Sequence, residues 1–369
     1  MFKVAVCGAG RIGEAICGLL SPSGRYKIIV ADEDVERANS VANAWDKTTP
    51  AFLDLVNKKN LSKLLRGVDA VISALPFHAN VPLAKIASDV GTNYFDLTED
   101  VEVTKAVSSL ALKSKGCFMP QCGLAPGFIS IAGAHMVTLF DEIDSLKLRV
   151  GALPLYPSNR LKYNLTWSTE GLINEYGNPC EMIRDGKRVQ ALPLQGLEQF
   201  SIDGNEYEAF NTSGGLGSLC DTLEGKVRKL DYKTVRYPGH RDLVAFLMQD
   251  LRFNEDRAYL KKVFERSISF TPQDKVIILV EARGNFQKKL IQKTYASTVY
   301  HTNINGHHFS AIQLTTAAGI CTLVDLLLTG KFKKTKGLIR NEDIPLPLFL
   351  QNEFGKHFLD KGALDGISS

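Results

Sequence analysis

Short apolar runs alternate with amphipathic segments along the first 140 residues of the chain. The apolar runs predict strands at 2–7, 26–31, 70–74, 93–97 and 117–121, because each is bounded by turn residues. Segments with helical periodicity predict helices at 35–45, 53–65 and 81–90, and a further helix before residue 117. Strands that alternate with helices form βαβ units, so we predict a doubly wound α/β domain with a parallel sheet.

The pattern changes beyond residue 140. Apolar and polar residues alternate at 145–151, 275–283 and 293–301, with turn-rich intervals between them, which predicts a mainly antiparallel sheet. Residues 311–328 are apolar on nearly every side. They predict a helix that returns to the first domain and is buried there.

The first strand opens directly onto Gly8, Gly10 and Gly13, at the G-x-G-x-x-G spacing. In a βαβ unit these glycines allow a sharp turn, a close approach of the backbone to a pyrophosphate, and close packing of the helix on the sheet. Backbone amides at Arg11 and Ile12 would then face the phosphates. We therefore predict a Rossmann dinucleotide-binding domain, into which an α+β domain of mainly antiparallel sheet is inserted.

The second strand ends next to Asp32, about 20 residues past the glycines, where an acidic residue accepts hydrogen bonds from the ribose of NAD. Its charge would repel the 2′-phosphate of NADP, and no basic residue follows at once. Arg37 lies one turn further on, still within reach of a phosphate. The sequence therefore favours NAD, with NADP as the alternative.

Ligands of doubly wound sheets bind where the strands end. The loops at 73–77, 96–100 and 122–128 follow three of the predicted strands, so we expect them to converge on the nicotinamide end of the dinucleotide. The residues in these loops that we predict to bind the cofactor are Ser73, Ala74, Leu75, Pro76, Cys122 and Gly123.

Composition argues against several other classes of protein. The 369 residues carry a net charge of +4, and the basic run at 331–336 is typical of a solvated turn. The sequence contains no run of about 18 consecutive apolar residues, so we predict no membrane span. A strand that begins at residue 2 leaves no room for a signal peptide. Seven cysteines without a CxxC pair, and the adjacent His307 and His308, indicate no metal site. We expect a cytoplasmic protein that binds no nucleic acid, membrane or metal.

Five motifs carry a resemblance to the saccharopine dehydrogenase family. They are CGLAPGF at 122–128, GALP at 151–154, YNLTWSTEG at 163–171, TSGGL at 212–216 and VRYPGH at 235–240. The resemblance covers residues 1 to about 335 and is greatest to lysine 6-dehydrogenase members. It implies a homodimer and NAD(P)-dependent chemistry at a carbon that bears nitrogen. We accordingly predict a dinucleotide-binding domain at 1–127, a substrate and dimerisation domain at 128–308, and C-terminal helices at 309–369 that return to the first domain.

The resemblance also implies roles for individual residues. Arg236 matches an arginine that binds a substrate carboxylate, for which a guanidinium offers two parallel hydrogen bonds. Trp167 and Ser168 match a segment that lines the same pocket. Similar saccharopine reductases carry an aspartate at the position of Ile129, and its absence favours oxidative deamination of the ε-amine of L-lysine. Saccharopine or carboxynorspermidine as substrate, and a catalytically silent NAD-binding sensor, remain alternatives.

Oxidation at an amine carbon needs a proton acceptor, and four residues are candidates. Asp96 and Glu99 lie at a predicted strand end, where Asp96 would equally cap the next helix. Glu170 would pair with a substrate ammonium or form a structural ion pair. His240 has an unperturbed pKa of about 6.5, but it follows a Pro-Gly turn, where a structural role is the default. The other predicted substrate-binding residues are Tyr163 and Pro154, and the candidate partners of a second carboxylate are Arg149, Arg160 and Arg241.

Overall fold

A computed structural model describes residues 1–332 and 336–359. Contacts divide the chain into two compact units, each built from separated segments. Unit 1 comprises Met1–Phe128 and Gln313–His357. Unit 2 comprises Ile129–Ile312 and, among the described residues, Phe358 and Leu359. The middle of the basic run and the last part of the predicted C-terminal segment, at 333–335 and 360–369, lie outside the described residues.

The first segment of unit 1 alternates strands with helices as predicted. Its strands form a parallel sheet in the order β6-β5-β4-β1-β2-β3, and the direction of winding reverses between β1 and β4. The elements are β1 (Phe2–Cys7), α1 (Arg11–Leu20), β2 (Tyr26–Asp32), α2 (Val35–Ala44), β3 (Thr48–Phe52), α3 (Lys58–Arg66), β4 (Ala70–Ser73), α4 (Asn80–Val90), β5 (Asn93–Asp96), α5 (Val101–Ala111) and β6 (Cys117–Met119).

Two elements of unit 1 differ from the prediction. The helix expected at 53–65 begins only at Lys58, because Asp54 accepts hydrogen bonds from two backbone amides in a turn and Asn57 then caps α3. The edge strand β3 was not predicted, since it contains Pro50 and its side chains are half-buried or exposed. A run of apolar residues therefore does not mark it.

Unit 2 is built on a mixed sheet in the order β10-β11-β12-β7-β13-β14, with β8 and β9 attached to β12. Its pairings are antiparallel except that between β12 and β7. The elements are α6 (Phe128–Val137), β7 (Glu142–Pro154), α7 (Thr169–Gly177), β8 (Cys180–Arg184), β9 (Lys187–Ala191), β10 (Glu198–Ile202), β11 (Asn205–Asn211), α8 (Leu219–Leu223), β12 (Val227–Arg236), α9 (His240–Ala245), α10 (Arg257–Ser267), β13 (Asp274–Phe286), β14 (Lys289–Tyr300), β15 (Thr302–Ile304) and β16 (His307–Phe309).

The mainly antiparallel character of unit 2 is confirmed, but the turn-rich reading of the interval before residue 275 is wrong in part. Two hairpins lie there, β8–β9 and β10–β11. Their turns are Asp185-Gly186 and Asp203-Gly204, and all four residues have positive φ, between 49° and 79°. Asp-Gly at such a turn is a strong hairpin signal, so the two hairpins could have been predicted from the sequence.

The chain returns to unit 1 through α11 (Ala311–Leu328), followed by β17 (Gly337–Leu338), which pairs with β6, and α12 (Leu346–Leu350). The predicted bounds and burial of this apolar helix are confirmed. Among the described residues α11 is the one helix long and apolar enough to cross a membrane, and 78% of it is buried within the structure. A core helix of a folded domain passes the same test.

Candidate cofactor and substrate sites

The glycine loop between β1 and α1 has the geometry of a phosphate cradle. A Cβ on Gly8, whose φ is 105°, would lie 2.6 Å from the carbonyl oxygen of Ala74, and one on Gly13 would lie 1.8 Å from the carbonyl oxygen of Gly8. A Cβ on Gly10 would meet nothing within 4 Å. Among the described residues no side chain caps α1 at Gly10, and the first turn of the helix, where Arg11 and Ile12 lie, suits an anion. The loop fits a dinucleotide pyrophosphate.

Asp32 fixes the same loop from the end of β2. One carboxylate oxygen accepts a hydrogen bond from the Ala9 amide at 2.6 Å, and the other accepts one from the Asp34 amide at 2.9 Å. Arg37 lies one turn into α2, and its Nε is 3.2 Å from the carboxylate of Asp34, with most of the side chain exposed. Asp32 thus has a structural task beside the one predicted from its position.

The three predicted loops meet at one edge of the parallel sheet. Cys7 pairs with Ser73, and Ser73 pairs with Asp96, so the ends of β1, β4 and β5 lie side by side. A Cβ on Gly123 would lie 3.6 Å from the side chain of Leu97, which joins the third loop to the second. The other residues predicted in the first of these loops are half-buried or exposed, namely Ala74, Leu75 and Pro76.

Asp96 ties two of these loops together. Its Oδ1 accepts hydrogen bonds from the amides of Thr98 at 3.1 Å and Gln121 at 2.9 Å, and burial raises the pKa of its carboxyl to about 6. The following helix is capped by Asp100 instead. Glu99 is half-buried in the same loop.

Cys122 follows β6 and is buried. Its amide donates to the carbonyl of Asp96 at 2.8 Å, and its Sγ donates to the carbonyl of Met119 at 3.0 Å. Burial raises the pKa of the thiol well above its usual value. The side chain is therefore a neutral thiol that completes the turn.

Arg236, at the end of β12, is a buried cation, with 2% of its surface exposed. Its Nε donates to Tyr176 Oη at 3.0 Å and its Nη1 to the carbonyl of Val235 at 2.9 Å, while its Cζ lies 5.0 Å from the ring centre of Tyr163. A guanidinium has five N–H donors, so three, two of them on Nη2, have no acceptor in residues 1–332 and 336–359. No carboxylate of those residues lies within 4.0 Å, although Glu175 attracts it from further away.

His240 is joined to Arg236 through Tyr176. Its Nε2 lies 3.0 Å from Tyr176 Oη, and its Nδ1 lies 2.8 Å from the carbonyl oxygen of Leu161. Burial, followed by the charge of Arg236, lowers the pKa of His240 to about 3. The imidazole is neutral and both of its nitrogens are hydrogen-bonded, so His240 is poorly suited to the role of proton acceptor that the sequence predicted for it.

Two buried hydroxyls in the loop before α7 have no hydrogen bond of standard geometry in the described part of the chain. They belong to Tyr163 and Thr166, which are 1% and 2% exposed. Burial raises the pKa of Tyr163, so its hydroxyl stays protonated. Buried hydroxyls are normally bonded, and these two are suited to a polar ligand.

The remaining predicted residues of this loop and helix have structural partners. Glu170 is half-exposed on α7 and lies 3.5 Å from Lys261, which is the ion pair considered from the sequence. Ser168 caps α7 by accepting from the Gly171 amide at 3.1 Å, and Trp167 packs on the core of unit 2. The carbonyl of Pro154, at the end of β7, accepts from the Tyr237 hydroxyl at 2.9 Å.

The three other candidate arginines differ in their burial and in the partners of their guanidinium groups. Arg149 is buried and ion-paired with Glu198 and Asp231, and Arg160 is exposed. Arg241 pairs with Asp242 at 3.1 Å, but its buried Nε has no acceptor in the described residues. Arg241 is therefore the best placed of the three for a second anionic group.

The sequence did not predict Tyr176, Thr166 or Glu208 as site residues. The carboxylate of Glu208 accepts from the amides of Gly239 at 2.8 Å and Arg241 at 2.6 Å, and so fixes the backbone on both sides of His240. These contacts join residues about 30 to 60 positions apart. Spacing and periodicity carry no signal for them.

Comparison with known proteins assigns a family model to each of two parts of the chain. Residues 4–116 match the model of the saccharopine dehydrogenase NADP binding domain, and residues 123–361 match that of the saccharopine dehydrogenase C-terminal domain. The fold is similar to apo histidine-tagged saccharopine dehydrogenase (L-Glu forming) from Saccharomyces cerevisiae, with a TM-score of 0.76 at 17% identity over 95% of this chain and 96% of that one.

Two curated relatives are similar in sequence. A saccharopine dehydrogenase (NADP(+), L-glutamate-forming) from Pyricularia oryzae is 28% identical over 70% of this chain and 60% of its own length. The mitochondrial alpha-aminoadipic semialdehyde synthase of Rattus norvegicus is 22% identical over 64% of this chain and 27% of its own length. The chain thus spans less than two thirds of these relatives.

The prediction of NAD is wrong, because the matching family model is that of an NADP binding domain and relatives from Pyricularia oryzae and Saccharomyces cerevisiae are named for NADP(+). The prediction rested on the charge of Asp32. Both of its carboxylate oxygens accept backbone N–H groups, so the acid serves the glycine loop and its charge is partly compensated. The two family models together match residues 4–116 and 123–361, which is most of the chain. The chain therefore belongs to the saccharopine dehydrogenase family.

Proposed function

We propose that this chain is an NADP-dependent oxidoreductase that acts on the CH–NH group of an amino acid whose carboxylate binds Arg236. The observation that carries the proposal is the buried guanidinium with three N–H groups left over and no carboxylate within 4.0 Å in the described residues. Burying a charge without a directly bonded counter-ion is unfavourable, so a site of this kind is suited to an anionic ligand.

Bound NADP+ would accept a hydride from the carbon, while the nitrogen loses a proton and a C=N bond forms that water can hydrolyse. The residues of the chain would hold the substrate. Arg236 would bind the carboxylate by paired charge-assisted hydrogen bonds, and the Tyr163 and Thr166 hydroxyls would complete its coordination. The ring of Tyr176 lies 5.8 Å from Arg236 Cζ and packs against the ring of Phe210.

A secondary amine of the saccharopine type is our leading substrate. Such a molecule carries more than one carboxylate, and Arg241 offers a second buried N–H without an acceptor in the described residues. The names of the relatives favour the same class.

Oxidation of the ε-amine of L-lysine is the second candidate. The observation that favours it is Ile129, which is fully buried on α6, at the position where the resemblance implies an aspartate in saccharopine reductases. An apolar side chain there removes a polar contact that a larger, charged substrate would use.

The test is formation of NADPH from NADP+, or of NADH from NAD+, by the purified chain with L-saccharopine or L-lysine. We expect turnover with NADP+ and saccharopine, loss of about 100-fold or more in kcat/KM in Arg236→Lys, and unchanged NADPH binding. Turnover of lysine alone would favour the second candidate. Tight NADPH binding with no turnover of either substrate would refute the proposal and favour a catalytically silent sensor.

A further inference from the structure

We propose that Tyr176 and His240 are positioning residues that hold Arg236 in the orientation that binds the substrate carboxylate. The inference rests on the proposed function for the identity of the ligand. The positioning role itself rests on geometry. A chain of hydrogen bonds runs from Arg236 through Tyr176 and His240 to the backbone of Leu161.

Each donor in this chain is determined by chemistry. The Leu161 carbonyl can only accept, so the His240 proton is on Nδ1 and Nε2 is an acceptor. The Tyr176 hydroxyl therefore donates to Nε2 at 3.0 Å. Its lone pairs then face Arg236, whose Nε–H can only donate.

This chain of hydrogen bonds also determines which edge of the Arg236 guanidinium is available to a carboxylate. A carboxylate can bind Arg either across Nε and Nη2 or across the two Nη atoms. Tyr176 occupies Nε, so only the edge formed by Nη1 and Nη2 remains for two parallel hydrogen bonds. The Nη1 bond to Val235 and the ring of Tyr163 limit rotation about the side chain.

His240 can hold this orientation because it stays neutral and fixed. An added proton on Nε2 would turn the Tyr176 hydroxyl away from this acceptor and place a second cation in the same buried cluster. Burial and Arg236 disfavour that proton. Glu208 fixes the backbone on both sides of His240 through the Gly239 and Arg241 amides.

Tyr176→Phe tests the first link. Losing a hydrogen bond to a charged group corresponds to a change of about 10- to 100-fold. We expect KM for the amino acid to rise by that factor, with kcat and the NADPH dissociation constant unchanged, because carboxylate binding contributes equally to the ground state and the transition state. The matched control is Tyr207→Phe, which also removes a buried hydroxyl that accepts from a cation, Lys275, at 2.7 Å. The control should leave KM within about twofold.

A pair of amide substitutions tests the second link. The side-chain oxygen of His240→Gln can take the place of Nε2 as the acceptor for Tyr176, whereas His240→Asn is too short to reach that position. We expect the Asn variant to raise KM by about 10-fold and the Gln variant by less than about threefold. Equal effects of the two variants, or a fall in kcat with KM unchanged, would overturn the positioning role.

The tautomer of His240 gives a test that needs neither turnover nor a folded variant. Nitrogen NMR of the wild-type protein should show one imidazole protonated on Nδ1 and not titrating between about pH 5 and about pH 8. Protonation on Nε2, or titration near the ordinary histidine value, would refute the inference even if the enzyme oxidises an amino acid. The absence of turnover together with the expected spectrum would instead count against the proposed function alone.

Discussion

Two buried arginines of unit 2 show how partners separate a structural charge from a ligand-binding one. Arg149 is 1% exposed and ion-paired with Glu198 and Asp231. Arg236 is as deeply buried, but its polar partners are a tyrosine hydroxyl and a carbonyl. Removing a paired buried charge leaves its partner carboxylates uncompensated, whereas removing a buried charge that no carboxylate contacts leaves no such group behind.

Substituting each arginine by methionine should therefore have opposite effects. We expect Arg149→Met to lower the free energy of unfolding by about 3 kcal/mol with little change in KM. Arg236→Met should unfold at the same or a higher urea concentration while losing substrate binding. Urea unfolding with parallel kinetics tests both, and a strong destabilisation by Arg236→Met would mean that Arg236 is structural.

Asp96 should make the stability of unit 1 depend on pH. Burial raises the pKa of its carboxyl from 3.8 to about 6, so the folded state binds the proton more tightly than the unfolded chain. Its contribution is therefore most favourable at low pH and declines as pH rises through that interval. Asp96→Asn is neutral throughout and serves as the reference.

The difference in unfolding free energy between wild type and Asp96→Asn should fall by about 3 kcal/mol from about pH 4 to about pH 7. Urea unfolding curves of both proteins across that range measure it. A difference that does not change with pH would show that the carboxyl has an ordinary pKa.

For single residues, the role of Arg236 could be predicted only from the resemblance to a family. It placed Glu170 in the site because Glu170 belongs to a motif, but α7 turns that side chain outward to Lys261. The inward position is held by Tyr176, whose partner Arg236 is 60 residues away. The rotation of a short helix is set by such contacts, which periodicity does not encode.

At the scale of elements, the glycine loop separates folding from binding at two neighbouring positions. A Cβ on Gly13 would lie 1.8 Å from a backbone oxygen, and one on Gly10 would lie in open space. We expect Gly13→Ala to destabilise unit 1 by more than about 2 kcal/mol. Gly10→Ala should fold normally but bind NADPH about 10-fold more weakly, because the methyl group occupies space for the pyrophosphate.

Thermal unfolding and NADPH fluorescence titration of the two glycine variants distinguish these effects. Equal stability of Gly13→Ala and wild type would contradict the close packing of α1 on the loop. NADPH binding by Gly10→Ala as tight as that by wild type would contradict the cradle.

Arg37 is our candidate contact for the 2′-phosphate of NADP, since it is the exposed cation one turn into α2. Arg37→Gln should weaken NADPH binding by about 10-fold and leave NADH binding nearly unchanged. Arg66→Gln, an exposed arginine in the last turn of α3, is the control. A similar loss for both cofactors would exclude a specific role for Arg37.

Elements with strong patterns were predicted well, and those shaped by local turns were not. The bounds of β1 and α11 were correct because each is apolar and sharply delimited. The edge strand β3 was missed because it is only partly buried and carries no apolar run. The hairpins of unit 2 were missed, although Asp-Gly marks their turns, because their strands alternate weakly. The start of α3 was displaced by an aspartate turn and an asparagine cap.

For the whole molecule, the two family models fall on different units. The NADP binding model matches only residues of unit 1, and the C-terminal model begins at residue 123 and spans the described segments of unit 2 and the return to unit 1. The division of labour that we propose follows the same line, with the glycine loop in unit 1 and Arg236 in unit 2. The homodimer remains a prediction, and light scattering at micromolar concentration is its test.

The preference of Arg236 for a carboxylate is the property of this site that a single experiment tests most directly. We would measure kcat/KM for the best amino-acid substrate and for its analogue with the carboxylate replaced by a carboxamide, in wild type and in Arg236→Met. We expect wild type to prefer the acid by about 100-fold or more and the variant to lose this preference. An Arg236→Met variant that still discriminates as wild type does would show that the carboxylate binds elsewhere.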